Sequence, residues 1–498
     1  MRTAGQGQHL SYHCTAECLK SNWNLHRDYH KQAPSNGGLE NGGTVDGSRG
    51  GKHDGSISDS WQEVGKKGTY TPTLEDVGYT LKYECCIIDR LHPYAPASGR
   101  TEVVQTSRVR PTPSPPTRSL VQLVPTAQPT PSPGAANLGR FTVLTYNLLA
   151  DLYAKGDSNQ SCPAWSLAWQ YRKKNLLREI LAYKADILCL QEVQSDAYTD
   201  FWSPELQRAG YVAIYKKKTA EVFTDNKYTI DGCATFFRKD RFQLVKKYEV
   251  EFNKAAVSLT EAITNPAHKK TALNRLLKDN VALIAVLEAV EPAVLDANAK
   301  RTLICVANTH IHANPELNDV KLWQVHTLLK GLEKIAASAD IPMLVAGDFN
   351  SVPGSMAHCL LVKGRIDPAL MLETYNDPLG LVKESKMSHT LPLSSAYAAM
   401  ADAPLSNDTR LAKQRTRLDP RHHEPLITNV TKDFKGTLDY ILYTNTSLRP
   451  TAVLELPLLD GEVLSKTEDQ LPNAQFSSDH LALLAEFQYV PHSSARNS

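Results

Sequence analysis

The run Ile341-Pro342-Met343-Leu344-Val345-Ala346-Gly347-Asp348-Phe349-Asn350 is apolar until it stops on a glycine, a carboxylate and an amide. Such a run predicts a buried strand ending in a turn, with Asp348 delivered to the rim of a sheet. The same pattern recurs along the chain. Asn147 falls near the end of the apolar stretch 141–149, Gln191-Glu192 closes 187–190, and Asn308-Thr309-His310 ends 302–309. Asp439 opens the run to Tyr443, and Ser478-Asp479-His480 precedes 481–487. Each motif alone has an ordinary explanation. Gly347-Asp348 could be a turn capped by Asn350, and an Asp-His pair is more often surface polarity than chemistry. Six polar groups at strand ends of one sheet system imply one acidic pocket.

Between these strands the periodicity changes. Residues 171–183 place Leu176, Leu177, Ile180 and Leu181 on one helical face, and 317–337 do the same with Val320, Trp323, Leu328, Leu332 and Ile335. Strands and helices mixed without strict alternation predict an α/β fold of two packed sheets with helices outside.

The bulk properties narrow the class. The 498 residues are 42% hydrophobic and 22% charged, with a formal net charge of +2. Global charge therefore makes no case for nucleic-acid binding. Arg172-Lys173-Lys174 and Lys216-Lys217-Lys218 are the local basic runs, and each reads first as a solvated surface. The nine cysteines sit mostly singly in apolar contexts, as reduced core thiols do. Met1-Arg2-Thr3-Ala4-Gly5 has no apolar leader character, and 281–290 is too short to span a bilayer. The expectation is an intracellular, soluble protein with no membrane partner.

The domain plan follows composition. Residues 9–30 are rich in Cys, His and aromatics; 31–60 are a Gly/Ser/Asn-rich flexible linker. Residues 61–110 alternate β-formers between Pro and Gly and predict a small β segment. Residues 111–140 are Pro/Ser-rich and read as stiff linker, and 141–490 form the large domain. Cys14-x3-Cys18 and His26-x3-His30 offer four ligands that could hold Zn²⁺, a partial finger with short spacing.

The strand-end residues suit phosphodiester cleavage. That reaction needs an aimed hydroxide, neutralised phosphorane charge and a stabilised leaving oxygen, and one or two Mg²⁺ ions supply much of this. Glu192 and Asp348 are hard oxygen ligands, and Asn147 could add a neutral one. His480 titrates near neutrality and can hold phosphate charge or pass a proton, with Asp439 orienting its ring. His310 could donate to a non-bridging oxygen.

These motifs resemble the endonuclease–exonuclease–phosphatase superfamily, whose fold is the four-layered α/β sandwich of deoxyribonuclease I. Tyr146-Asn147-Leu148-Leu149-Ala150-Asp151, Leu190-Gln191-Glu192-Val193-Gln194 and Asp231-Gly232-Cys233-Ala234-Thr235-Phe236-Phe237 are similar to its carbon catabolite repressor protein 4 branch. That resemblance implies a Mg²⁺-dependent 3′→5′ exoribonuclease that removes poly(A), releases AMP, and works inside a deadenylase complex of the CCR4–NOT type. It implies Glu192 on one magnesium, and Asp348 on the second and as acid/base group. It implies substrate contacts from Asn350, Asn429, Phe434 and His310. Pro315 is placed as a second wall of the base slot. No leucine-rich repeat precedes residue 141, which is closer to the plant branch. The Cys pair expected upstream of Cys14 is missing, so a shortened N-terminus is expected. The competing functions are a phosphatase or phosphodiesterase of this fold acting on a small nucleotide, and a non-catalytic scaffold; intact motifs disfavour the scaffold.

Overall fold

The computed structural model describes residues 2–3, 61–85, 101–124, 139–155, 162–224, 227–290, 302–338, 341–366, 387–404, 409–457 and 470–490. The Cys/His segment 9–30, with its expected zinc ligands, and the linker 31–60 lie outside the described residues. Two compact units divide at Pro113. In the first, Thr80–Cys85 pairs antiparallel with Glu102–Arg108, and Arg2–Thr3 adds a third strand.

The second unit holds two large sheets. β1 (Leu120–Gln122), β2 (Arg140–Asn147), β3 (Ile187–Gln191), β4 (Tyr211–Lys217) and β5 (Gly232–Arg238) come first along the chain. β6 (Phe242–Glu251), β7 (Val281–Ala289), β8 (Leu303–His310), β9 (Met343–Asp348), β10 (Leu393–Ser395) and β11 (Asp439–Thr444) make a six-stranded sheet ordered β6-β7-β8-β9-β11-β10. The chain then returns through β12 (Leu448–Leu454) and β13 (Leu483–Tyr489) to complete a seven-stranded sheet ordered β1-β12-β13-β2-β3-β5-β4. The stretch 111–140 reads as linker, yet β1 within it pairs with β12, buries Val121, and is anchored by Arg118 donating to the Glu455 and Ala482 carbonyls. Three β-forming residues between prolines were too short to stand out from their surroundings.

Strand alternation explains the layers. Val143, Ile187 and Cys189 point into a core shared with Leu283, Val306, Leu344 and Ile441 of the other sheet. Leu144, Leu188 and Leu190 point outward against Leu176 and Ile180 of α1 (Trp169–Tyr183). On the far side, Ala307 and Val345 pack on Trp323, Leu328 and Leu332 of α2 (Asn318–Ser338). The result is helix, sheet, sheet, helix.

Each sheet contains a parallel pair joined across a helix: β2 with β3 through α1, and β8 with β9 through α2. Their neighbours β13 and β11 run antiparallel. The ends of the parallel strands and the beginnings of the antiparallel ones therefore meet at one edge of the sandwich. That edge receives Asn147, Glu192, His310, Asp348, Asp439 and His480. Close approach there requires Gly347: its φ is 148°, and a Cβ would stand 2.0 Å from the Thr309 carbonyl oxygen.

Candidate active site

The centre of this edge is an amide. Asn147 Nδ2 donates to Glu192 Oε1 at 3.0 Å and to Asp348 Oδ2 at 3.0 Å. Two bonds to one nitrogen leave those carboxylate oxygens no more than about 6 Å apart, although they come from different sheets. Asn147 Oδ1 is already occupied by the Leu149 amide. Asn147 thus sits as a clamp between carboxylates, with its nitrogen inward. The backbone is bent to suit. Leu149, Glu192 and Asn350, each just past a strand end, have φ of 53°, 54° and 47°. Non-glycine residues in this region are strained, and such strain gathers at working sites. The Ala150 amide, turned inward by this bend, donates to Glu192 Oε2 at 2.8 Å.

The two histidines are held in opposite states. His480 Nδ1 lies 2.8 Å from Asp439 Oδ2, and its Nε2 is 3.6 Å from Asp348 Oδ2. Burial alone would depress its pKa, but Asp439, Asp348 and Asp479 hold it well above the ordinary imidazole value. Thr428 Oγ1 donates to the same Asp439 oxygen at 2.7 Å and fixes it. His310 Nε2 is 3.4 Å from Asp348 Oδ2, and burial together with Lys218, His480 and His312 keeps it well below the ordinary value and neutral.

The carboxylates carry more charge than their surroundings neutralise. Burial raises Glu192 to about 7, with Asp231 and Asp479 adding repulsion, and raises Asp348 to about 6. Asp439 Oδ1 is buried without a hydrogen-bond partner. Asp348, Asp439 and His480 offer ligand atoms within 4.8 Å of one another. Hard oxygen donors with unbalanced charge fit a divalent cation.

Beside this centre opens a cavity of about 650 Å³, lined by Pro315, Asn350, Asn429, Phe434, Lys321 and Met356 among others. Of the residues expected to contact substrate, Asn350, Asn429, Phe434 and Pro315 line it, and His310 does not. Asn350 joins the cavity to the carboxylates, because its amide donates to Asp348 Oδ1 at 2.9 Å. Asn429 joins it to His480 through a backbone bridge. Asn350 Nδ2 is engaged by the Ile311 carbonyl, and Asn429 Nδ2 by the Asp479 carbonyl. Phe434 is half-buried, and its ring rests over Gly436, where a Cβ would come within 2.8 Å.

Residues 144–480 match the Endonuclease/Exonuclease/phosphatase family. The chain belongs to this family. Carbon catabolite repressor protein 4 homolog 1 of Arabidopsis thaliana is 49% identical across 98% of this chain and 85% of its own length. The CCR4-Not complex 3'-5'-exoribonuclease subunit Ccr4 of Mycosarcoma maydis is 31% identical across 80% of the chain and 58% of its own length. Among solved structures, that of ANGEL2, a 2',3'-cyclic phosphatase, bound to adenosine-2',3'-vanadate, superposes with a TM-score of 0.53 at 28% identity. That match covers 75% of this chain and 99% of ANGEL2. Among the described residues, no helix is long and apolar enough to cross a membrane.

In this family member several site residues escape a reading of sequence alone. Lys218 Nζ pairs with Asp231 Oδ2 at 2.9 Å, and Tyr153 donates to Asp231 Oδ1, walling the side next to Glu192. Lys216 pairs with Glu249 and Glu251. Only Lys217 of that basic run is exposed. Arg172, read as part of a solvated run, is fully buried. It donates to the carbonyls of Leu149 at 2.7 Å, Leu167 at 3.0 Å and Ser477 at 3.2 Å, tying the loop after Asn147 to the loop before His480. Ser478 Oγ adds a second tie, donating to the Asn147 carbonyl at 2.7 Å. The signal available was Asp231 opening an apolar strand; the partners of Lys218 and Arg172 come from far along the chain.

Proposed function

We propose that this hydrolase is a Mg²⁺-dependent 3′→5′ exoribonuclease that shortens poly(A) tails and releases AMP, as the catalytic subunit of a CCR4–NOT-type deadenylase complex in the cytoplasm and nucleus. The observation that carries the reading is the Asn147 clamp holding Glu192 and Asp348 beside a base-sized cavity. Two Mg²⁺ ions, held by Glu192 on one side and by Asp348 on the other, would supply an activated water and neutralise the scissile phosphate. His480, kept protonated by Asp439, donates to a phosphate oxygen; neutral His310 offers a further N–H on the Asp348 side. Asp348 is also the acid/base candidate, since its carboxylate faces both His310 and His480. Phe434 and Pro315 sandwich the base. Stacking tolerates every base, so adenine selection falls to edge hydrogen bonds in the slot formed with Asn350 and Asn429.

A 5′-labelled RNA with a 3′ A tail tests this. A one-nucleotide ladder descending from the 3′ end, AMP as product, dependence on Mg²⁺, and loss of turnover in Glu192→Ala are expected. A Glu192→Ala enzyme with the wild-type rate overturns the site. The likeness to ANGEL2, described as a 2',3'-cyclic phosphatase, favours one second reading, a small nucleotide phosphate as substrate. RNA left intact while a cyclic nucleotide is opened would select it.

A further inference from the structure

A phosphodiester joins two nucleosides, and the cavity beside Asp348 takes one of them. The other lies across the carboxylates, on the Glu192 side. The residues there run in order from Glu192 to Lys218, Asp231 and Tyr153, and then to a short hairpin, Val222–Thr224 paired with Lys227–Thr229. The hairpin's base is fastened to the site: Gln194 Nε2 donates to Thr229 Oγ1, the Ser195 amide to the Ile230 carbonyl, and Gln194 Oε1 accepts from the Leu152 amide. From Asp231 to Tyr228 the chain spans at most about 10 Å.

That hairpin shows an unusual surface. Phe223 and Tyr228 face each other across the pair with ring centroids 5.0 Å apart, and they are 60% and 71% exposed. Tyr153, 39% exposed and with its ring 5.5 Å from the Lys218 ammonium, is a third exposed ring, bonded to Asp231 on the Glu192 side. Lys217, exposed at the end of β4, is separated from the hairpin by four residues and adds a cation on this side of the sheet. Exposed rings and a lysine on the Glu192 side of a metal-type phosphate site have the composition of a stacking platform for single-stranded nucleic acid. The two hairpin rings pair with each other across the strands, and neither is buried in the core.

We infer that Tyr153, Phe223 and Tyr228 form a second base-stacking platform, which holds the body of the RNA on the Glu192 side while the terminal base occupies the Phe434 cavity. This rests on the RNA-cleaving reading above and extends it to nucleotides beyond the scissile bond. The platform stacks bases of any kind, so its contribution grows with strand length and not with adenine content.

The test compares the full chain with Phe223→Ser/Tyr228→Ser, using a 20-nucleotide oligo(A) and an A dinucleotide. Both positions are exposed, so unfolding temperatures should match. The expected result is a rise of about five- to tenfold in KM and in the anisotropy Kd for the 20-mer, with dinucleotide hydrolysis and kcat unchanged. Phe223→Tyr/Tyr228→Phe, which keeps both rings, should restore 20-mer binding. Equal KM and Kd on the 20-mer for wild type and the Ser variant overturns the platform and leaves the rings to a protein partner. Failure of the wild type to shorten RNA at all would instead strike the proposed function, so the two failures are distinguishable.

Discussion

Replacing Glu192 with glutamine should make the metal-free protein more stable at alkaline pH while removing its activity. Burial, with Asp231 and Asp479 nearby, lifts Glu192 from an ordinary 4.5 to about 7. The folded protein thus retains a proton that the unfolded chain releases, and stability falls as pH rises from about 4.5 to about 7. At about 1.4 kcal/mol per pH unit, the accumulated penalty above pH 7 is about 3 kcal/mol. Glutamine carries no charge and escapes it. It also loses something: facing the Asn147 amide and the Ala150 N–H, both donors to Glu192, its one oxygen can accept from only one of them. That loss is about 1 kcal/mol. Glu192→Gln should therefore gain about 2 kcal/mol at pH 8 in EDTA and gain nothing at pH 5, where Glu192 is already protonated. Urea midpoints at both pH values read the difference. Saturating Mg²⁺ should then stabilise wild type, by about 2.7 kcal/mol at one hundred times its Kd, and stabilise the variant less. A variant less stable than wild type at pH 8 in EDTA would show that Glu192 is not a buried, uncompensated charge, and the cation-site argument would fall with it.

Other consequences are equally direct. Phe434→Ala should raise KM for oligo(A) about five- to a hundredfold through lost stacking, while the Mg²⁺ concentration giving half-maximal rate stays put. Asp439→Asn removes the carboxylate that does most to hold His480 protonated. Its pKa should drop, so the pH–rate profile should lose activity near pH 8 and recover part of it on acidification. Arg172→Met leaves buried carbonyls of Leu149, Leu167 and Ser477 unpaired and should cost about 3–5 kcal/mol in denaturant unfolding. Gly347→Ala drives a Cβ onto the Thr309 carbonyl and should abolish soluble expression, whereas Gly331→Ala, which meets no atom within 4 Å, should be tolerated.

Much of this site is legible in sequence because topology does the gathering. Asn147, His310 and Asp348 end, and Glu192 follows, strands of two parallel pairs, while Asp439 opens one antiparallel neighbour and His480 precedes the other. Any chain that builds those sheets brings all six to one edge. Apolar periodicity likewise marks α1 and α2, whose buried faces carry the helical spacing. What stays hidden is set by partners distant in sequence. Lys218 and Arg172 sit in basic runs that locally resemble solvated surface, and only their burial against Asp231 and the Leu149, Leu167 and Ser477 carbonyls gives them meaning. The Asn147 amide could have turned either way; the Leu149 N–H fixes which atom faces the carboxylates. Leu120–Gln122 becomes a strand because β12 presents an edge to it, not because its own three residues demand one.

The most direct test of the account is the ratio of kcat/KM for RNAs ending in twenty A or twenty U residues, measured with Mg²⁺ on the full chain. Shared carboxylate chemistry with a selective base slot predicts a ratio well above tenfold in favour of A, with AMP as the released nucleotide. Equal values on both tails, or turnover confined to mononucleotides, would contradict it.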